Sequence, residues 1–167
     1  MAEKDVWTGK PTVLGFWEGL AIGVLLIVFS AASGFSPLAR IPEVVGFLVA
    51  VASGGVALIF FTFFVAYANT YTVTDRAARR EFRFWVVRVE GAPAEKITDV
   101  VSHVGLVGRI LRFGNLRIDT AGTPFPGILF KGLRLEDLKE AEEKVKSLLK
   151  RETTTEALKR LGEKYGV

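Results

Sequence analysis

Two long uncharged segments limit what this chain can fold into more than any other feature of its sequence. Neither Leu20–Ala39 nor Val44–Ala68 contains a charged residue. A helix needs about 20 mostly apolar residues to cross the hydrocarbon core of a membrane, and both segments are long enough. The residues between them, Gly34–Glu43, include two prolines, a glycine and charges of both signs, which is typical of a turn in water. The sequence therefore predicts a transmembrane helical hairpin over residues 13–68.

A helical pair buried in a soluble protein is the alternative to a membrane hairpin. The second segment has 25 uncharged residues, with four phenylalanines between Phe60 and Phe64. A soluble domain that buried this segment would have to be much larger than the present chain. Residues 13–35 are not typical of a secretory signal either, because the apolar run is too long and no small-residue cleavage pattern accompanies it.

Both apolar segments carry small residues at four-residue spacing. These are Gly15, Gly19 and Gly23 in the first segment and Gly46, Ala50 and Gly54 in the second. Such stripes let membrane helices approach closely, because packing replaces the hydrophobic drive that lipid removes. The stripes predict packing between the two helices of one chain or packing against a second chain, and both alternatives stay open.

Basic residues near the second segment predict the orientation of the hairpin. Within about 20 residues of its end, where basic residues bias orientation toward the cytoplasm, the chain has Arg76, Arg79, Arg80, Arg83 and Arg88. The loop between the segments offers only Arg40. We therefore expect a cell-membrane protein with two spans and with both termini in the cytoplasm.

Aromatic residues fit this orientation. Trp7, Trp17, Tyr67 and Tyr71 flank the two segments, where an aromatic belt at headgroup level is expected. Glu18 lies in the first turns of the first helix, either reaching the interface or serving as a functional group within the membrane.

After Ala68 the hydrophobic pattern changes to that of short strands and turns. Strand-like runs, bounded by turn residues, are Tyr71–Thr74, Glu81–Phe84, Val87–Glu90, Ile97–Val104, Asn115–Thr120 and Gly127–Leu133. Leu106–Phe113 is typical of a short helical turn. Regularly spaced short strands predict an antiparallel sheet that is curled or closed.

The C-terminal part of the chain is typical of an amphipathic helix. Apolar residues recur at spacings of three and four, namely Leu135, Leu138, Ala141, Val145, Leu148 and Leu149. We expect this stripe to cover the mouth of the sheet, with a helix of another chain as the alternative partner. Thr153–Glu156 matches a capping box and predicts a separate short helix that ends near Gly162.

Composition excludes several kinds of chemistry. The chain has no cysteine, so disulfides, thiolate catalysis, iron–sulfur clusters and cysteine zinc sites are excluded. The single histidine, His103, has no acidic cluster at ligand spacing near it. There is no phosphate-binding loop and no basic aromatic platform for single-stranded nucleic acid. We therefore expect no catalytic residues, no metal, no cofactor and no nucleic acid partner.

The order of several sequence blocks resembles a known family. Trp7–Pro11 precedes the hairpin, and the blocks after it are Tyr71–Arg76, Glu95–Val100, Leu106–Leu111 and Phe113–Gly122. In this order they resemble the bacterial PH-like membrane proteins, in which a pleckstrin-homology-like domain follows a transmembrane pair. The resemblance implies an α+β domain, an antiparallel β-barrel of about seven strands capped by a C-terminal helix. It implies no particular reaction.

One block departs from the family. Where the family often has a turn glycine between two strands, this chain has Phe84-Trp85-Val86. Either the hairpin is longer here, or Phe84 and Trp85 form an exposed contact surface.

The domain organisation that follows has four parts. Residues 1–12 are an N-terminal cytoplasmic lead, residues 13–68 the hairpin, residues 69–151 the PH-like barrel with its capping helix, and residues 152–167 a short helix or tail. The expected function is a non-enzymatic, membrane-anchored module for protein–protein contact or self-assembly at the inner face of the membrane.

Two alternatives remain for this function. Five arginines either fix the orientation of the hairpin in the membrane or bind anionic lipid headgroups, namely Arg76, Arg79, Arg80, Arg83 and Arg88. Each basic residue near an anionic lipid surface contributes about 1 kcal/mol to binding. Lys96, Arg109 and Arg112 would add to a basic rim if the loops converge. An envelope-stress accessory role belongs with the headgroup alternative, and a membrane lipid enzyme is the remaining one.

Overall fold

The computed structural model describes residues 4–37, 41–121 and 127–165, with side chains up to residue 155. The chain divides into two compact units. One contains the residues from Phe16 to Tyr67, and the other combines the residues up to Gly15 with those from Ala68 onward. The N-terminal segment thus belongs to the same unit as the strands, although the two are separated in sequence by the apolar helices.

The first unit is a pair of apolar helices. A 3-10 turn, Val13–Phe16, leads into helix α1, Trp17–Gly34, and helix α2 is Pro42–Ala68. Both helices are long and apolar enough to cross a membrane. Few of their side chains are buried within the chain itself. Arg40, the basic residue expected in the connecting loop, lies outside the described residues.

The two helices pack through glycines. A Cβ atom at Gly23 would lie 2.9 Å from the carbonyl oxygen of Gly55, and one at Gly19 would lie 2.5 Å from Oγ1 of Thr62. Ser30 donates a hydrogen bond of 2.8 Å to the carbonyl of Leu48. The expected stripe on α1 therefore packs against α2 at Gly19 and Gly23, where the backbones approach closely.

The stripe expected on α2 does not take part in this contact. Within the described residues, no atom lies within 4 Å of a Cβ built at Gly46 or Gly54. The glycine of α2 that meets α1 is Gly55, one position further along. Gly15 also lies elsewhere, against the backbone of Gly132 in the strand unit. The prediction that Gly15 packs between the helices was therefore wrong, because the helix proper begins only at Trp17.

The strand unit has seven strands in the described residues, arranged in two antiparallel sheets. The first sheet has the order β1, β2, β3, β4, and the second has the order β5, β6, β7. The strands are β1 Asp5–Gly9, β2 Asn69–Thr74, β3 Ala77–Arg83, β4 Val87–Pro93, β5 Ile97–His103, β6 Phe113–Thr120 and β7 Ile128–Arg134. A short helix, α3 (Leu106–Leu111), connects β5 to β6.

The N-terminal segment is a strand rather than a polar lead. β1 pairs with β2, with Gly9 opposite Tyr71. Trp7 is only 7% exposed and stacks on Phe130, so it is a core residue and not part of a headgroup belt. The burial of Trp7 depends on a strand that follows more than 60 residues later, and local patterns do not reveal such a pairing.

The two sheets do not close into a single barrel over the described residues. Pro93 ends β4, and a 3-10 turn, Ala94–Lys96, carries the chain to β5 in the second sheet. Proline has no N–H to continue the ladder, so the first sheet stops there. The expected barrel is therefore a PH-like pair of antiparallel sheets with an open edge at β4.

A long C-terminal helix completes the core. Helix α4 is Leu135–Tyr165, and Leu138, Ala141, Val145 and Leu148 are buried in the same cluster as the sheet residues. This confirms that the apolar stripe covers the sheets.

The expected break before a separate last helix is absent from the backbone described through residue 165. The hydroxyl groups of Thr153, Thr154 and Thr155 donate to carbonyls four residues earlier, at 2.9, 2.9 and 3.0 Å. These bonds are typical of threonines inside a continuous helix, whereas a capping residue accepts a hydrogen bond from the next turn.

Tyr71 joins the two sheets at the centre of the core. Its ring stacks on Phe130 with centroids 4.6 Å apart. Its hydroxyl group donates to the carbonyl of Lys131 and accepts from the N–H of the same residue, each at 3.0 Å. Tyr71 is fully buried, so it belongs to the core and not to an interfacial belt.

Candidate functional site

A cleft of about 560 Å³ lies between the edge strands of the two sheets. One wall is β4 from Arg88 to Pro93, and the other is the end of β6 with the start of β7. Lys96, from the turn between the sheets, and Arg80, from β3, complete the lining in the described residues. No strand pairing joins β4 to β7 in the described residues, and we call this unpaired boundary between the two sheets the seam.

The strand register decides which side chains face the cleft. Val73, Ala78 and Ala92 lie opposite one another and are buried in the core, so they mark the inner face of the first sheet. Alternation along each strand then places Arg80, Arg88 and Glu90 on the same inner face. Charged residues thus occupy the inner face of the first sheet toward the β3–β4 turn.

The charge of this cleft is predominantly basic. Arg80, Arg88 and Lys96 line it, together with one acid, Glu90. Arg80 donates from Nε to Oδ1 of Asn69 at 3.1 Å, and Arg88 pairs with Glu90 at 3.0 Å. A guanidinium group held in this way can present its remaining N–H groups to an anionic partner in the cleft.

The five arginines expected as one basic stretch separate into three places. Arg80 and Arg88 line the cleft. Arg79 and Arg83 lie on the opposite face of β3, where Arg83 pairs with Glu81 at 2.8 Å. Arg76 lies in the turn between β2 and β3. Arg109 and Arg112, expected as additions to a basic rim, lie at α3 and do not line the cleft, whereas Lys96 does.

The turn between β3 and β4 presents an exposed aromatic surface. The exposed fraction is 91% for Trp85 and 71% for Val86, and Phe84 is about half exposed. The rings of Phe84 and Trp85 stack with centroids 5.6 Å apart. Val87 and Val89 extend this apolar surface along the outer face of β4. Phe84 and Trp85 therefore lie on the outside of the fold, in the position proposed for a contact surface.

Strand β4 has its polar and apolar residues on the opposite faces from those of a strand that packs in a core. Its charged residues Arg88 and Glu90 face inward to the cleft, and its valines face outward. A strand that only supports a core buries its apolar residues and exposes its polar ones. The sequence predicts a strand over Val87–Glu90 from this alternation, but it does not assign Val89 or Glu90 to a site, because alternation alone does not indicate which face is inside.

The tyrosine nearest to the cleft charges is structural. Burial raises the pKa of Tyr71 above 10.0, while the hydrogen bond to the Lys131 carbonyl and the charge of Arg80 act in the opposite direction. The phenol group therefore stays neutral and holds the sheets together at physiological pH.

His103 and Ser102 are neighbours on β5, and the Ser102 side chain hydrogen-bonds to Glu142 on α4. His103 pairs with Asn115 between β5 and β6. The Lys146 ammonium group lowers the pKa of Glu142, and a hydrogen bond from Ser102 acts in the same direction. In the part of the chain that the structure describes, no three acidic or histidine side chains are grouped as metal ligands.

Comparison with known families identifies the class of protein. The family model described as bacterial PH domain matches residues 19–152, which is more than half of the chain. The chain therefore belongs to the bacterial PH domain family. No curated protein and no solved structure matched the chain in the corresponding searches.

Proposed function

We infer that this protein is a non-enzymatic PH-like module that is anchored in a membrane by α1 and α2 and binds a protein partner along the cleft between β4 and β7. The observation that carries this proposal is the open seam. β4 and β7 are both edge strands in the described residues, and they flank one cleft.

An edge strand is a template for a further strand. Its outward N–H and C=O groups can pair with an extended segment of another protein, and this pairing supplies much of the affinity. Here the added segment would lie between the two sheets. Leu129 and Ile128 on one side offer apolar contact, while Arg80, Arg88 and Lys96 favour acidic side chains in the partner.

Membrane anchoring is supported by the exposed apolar surface of the two helices. Leu25, Phe47 and Phe60 are each more than 60% exposed within the chain. Surfaces of this size and character are covered in a native environment, and lipid is the covering that fits uncharged helices of this length. The arginines after α2 support an orientation with both termini in the cytoplasm.

Photo-crosslinking tests the partner site directly. The full chain would carry a photoreactive residue at Leu129, which lines the cleft and is 39% exposed. The matched control is Val101, which is 45% exposed on β5 away from the cleft. We expect a discrete crosslinked protein adduct at position 129 and none at position 101. Equal crosslinking at both positions, or none at either, would contradict the proposal.

Self-assembly has its own surface. Gly46, Ala50 and Gly54 form a small-residue stripe on α2 that α1 leaves uncovered. A second copy of the chain could pack there. Because the chain has no cysteine, a single Gly54→Cys variant would form a disulfide-linked dimer in membranes if the stripes of two copies meet. A Val24→Cys variant on α1 serves as the control. If it forms as much dimer as the Gly54→Cys variant, self-assembly through the α2 stripe is contradicted.

A second candidate function is recognition of an anionic lipid headgroup, which the three basic residues of the cleft favour. Native mass spectrometry of the full chain in detergent tests this function by measuring how much anionic lipid the chain retains. Arg88→Gln and Lys96→Gln should reduce the retained lipid if the cleft holds it, whereas Arg109→Gln should not. A fragment that starts after α2 is unsuitable, since it would lack β1 and Trp7.

A further inference from the structure

Both connections to the apolar helices leave the first sheet at the same end. β1 ends at Gly9, opposite Tyr71, before the chain enters α1. β2 begins at Asn69, directly after the last residue of α2. The strand register pairs Asn69 with Phe82, near the end of β3. The turn between β3 and β4 therefore lies at the end of the sheet where the chain joins the helices.

The distance from this junction to the aromatic tip is short. Trp85 follows Phe82 by three residues, which span at most about 10 Å even when fully extended. The turn between β2 and β3, which contains Arg76, lies at the other end of the sheet, since Ala78 pairs with Val73 there. One turn of this sheet is thus close to the junction with α2, and the other is remote from it.

The exposed residues of the near turn suit the boundary between headgroups and acyl chains. Trp85 and Val86 are the most exposed of them, and Val87 continues the surface. Tryptophan is enriched at membrane interfaces because its ring is both apolar and able to donate a hydrogen bond. The stacking of Phe84 on Trp85 holds the two rings as one surface.

The charges beside the turn are largely balanced. Arg83 pairs with Glu81, and Arg88 pairs with Glu90. An interaction of this turn with a membrane therefore depends on the apolar tip more than on attraction to anionic lipid. This property separates the turn from the basic cleft, whose binding would depend on anionic lipid and salt.

We propose that the β3–β4 turn, with Phe84, Trp85 and Val86 at its tip, inserts into the interface of the same membrane that α1 and α2 cross. This inference rests on the proposed membrane anchoring. Insertion gives the sheet unit a second attachment to the bilayer, in addition to its chain connections to α1 and α2.

Depth-dependent fluorescence quenching tests the insertion in the full chain. The absence of native cysteine allows single-site labelling with an environment-sensitive fluorophore at Val86→Cys. The labelled chain is reconstituted in phosphatidylcholine vesicles that contain a lipid with a nitroxide near the headgroup. The Arg76→Cys label, at the remote turn, is the matched control, and the Phe47→Cys label in α2 reports the span itself.

We expect quenching at positions 86 and 47 and little quenching at position 76. If the label at position 47 is quenched but the label at position 86 is quenched no more than the label at position 76, the insertion is wrong and the membrane anchor still holds. Absence of quenching at 47 would instead refute the anchor, and the insertion with it.

A second variant tests the role of the aromatic tip. Adding Trp85→Ser to the Val86→Cys chain should lower quenching at position 86 by about threefold or more, because the main interfacial side chain is lost. Adding Val101→Ser should leave the quenching unchanged. Replacing part of the lipid with phosphatidylglycerol should change the quenching by less than about twofold, because the flanking charges are paired. Quenching that appears only with phosphatidylglycerol would contradict insertion driven by the aromatic tip.

Discussion

Strands β2 and β4 belong to the same sheet, but the apolar residues of β2 are buried and the valines of β4 are exposed. In β2, Tyr71 and Val73 are fully buried and pack in the core. In β4, Val87 and Val89 are each more than half exposed, and the charged residues face inward. β2 is therefore built to hold the fold together, whereas β4 carries surfaces that the fold alone does not require.

This difference identifies the residues of the first sheet that the fold itself does not require. Apolar residues that a strand leaves outside cost solubility and contribute little to stability. Charges on an inner face take positions where apolar residues would add to the core. Both features occur in β4 and its turn, so substitutions on the β2 side should change stability, and substitutions on the β4 side should change interactions.

The largest effect on stability should come from Gly132→Ala. Gly132 in β7 has φ +75, which alanine rarely adopts, and an added Cβ would lie 2.8 Å from Cα of Gly15. We expect a loss of about 2–4 kcal/mol in the free energy of unfolding. Unfolding of the full chain in detergent, monitored by near-ultraviolet circular dichroism, measures this loss. Gly105→Ala is the control, since no described atom lies within 4 Å of its added Cβ. Equal losses would refute the close contact at Gly132.

Tyr71→Phe should have the next largest effect. The substitution keeps the ring stacking on Phe130 but removes the hydroxyl that bonds both backbone groups of Lys131. Leaving buried polar groups unpaired costs about 1–3 kcal/mol. The same unfolding measurement checks this, with Tyr67→Phe as the control, because Tyr67 is largely exposed. No difference between the two variants would show that Tyr71 does not join the sheets.

The buried phenol also predicts a pH dependence. Its pKa is raised by burial above the value of 10.0 that applies to the unfolded chain. The unfolded chain therefore loses this proton first as pH rises. The contribution of Tyr71 to stability is complete below pH 10.0 and declines by up to about 1.4 kcal/mol per pH unit until the pH reaches the pKa in the folded state. Tyr71→Phe should flatten this decline, and an unchanged decline would refute the assignment.

The smallest effect on stability should come from Trp85→Ser in the β3–β4 turn. Trp85 is almost completely exposed, so its removal should change the free energy of unfolding by less than about 0.5 kcal/mol. Thermal unfolding beside wild type measures the change. A loss comparable to that of Tyr71→Phe would contradict the contrast between the two strands, because it would give the turn a role in folding.

The sequence predicted the elements formed by local patterns. Six strands, the short helix α3, the apolar helices and the start of α4 all correspond to runs whose apolar spacing is visible along the chain. Leu138 and Val145 were placed on the buried face of α4 because three-and-four spacing defines one side of a helix.

The missing parts depend on contacts between distant segments. β1 exists because β2 returns beside it after the apolar helices, and Trp7 is buried by Phe130 in β7. Gly55, not Gly54, meets α1, since the rotation of one helix about its axis is set by its partner. The cleft was not predicted because the distribution of the arginines between two faces follows from strand register, and its second wall comes from another sheet.

Amide hydrogen exchange of the full chain in detergent tests the central contrast most directly. We expect peptides from β2 to exchange slowly and peptides from β4 to exchange about tenfold faster or more, because β4 is an edge strand beside an open cleft. Equally slow exchange in both strands would mean that the seam between β4 and β7 is closed. The cleft would then not be available to a partner, and the proposed function would be wrong.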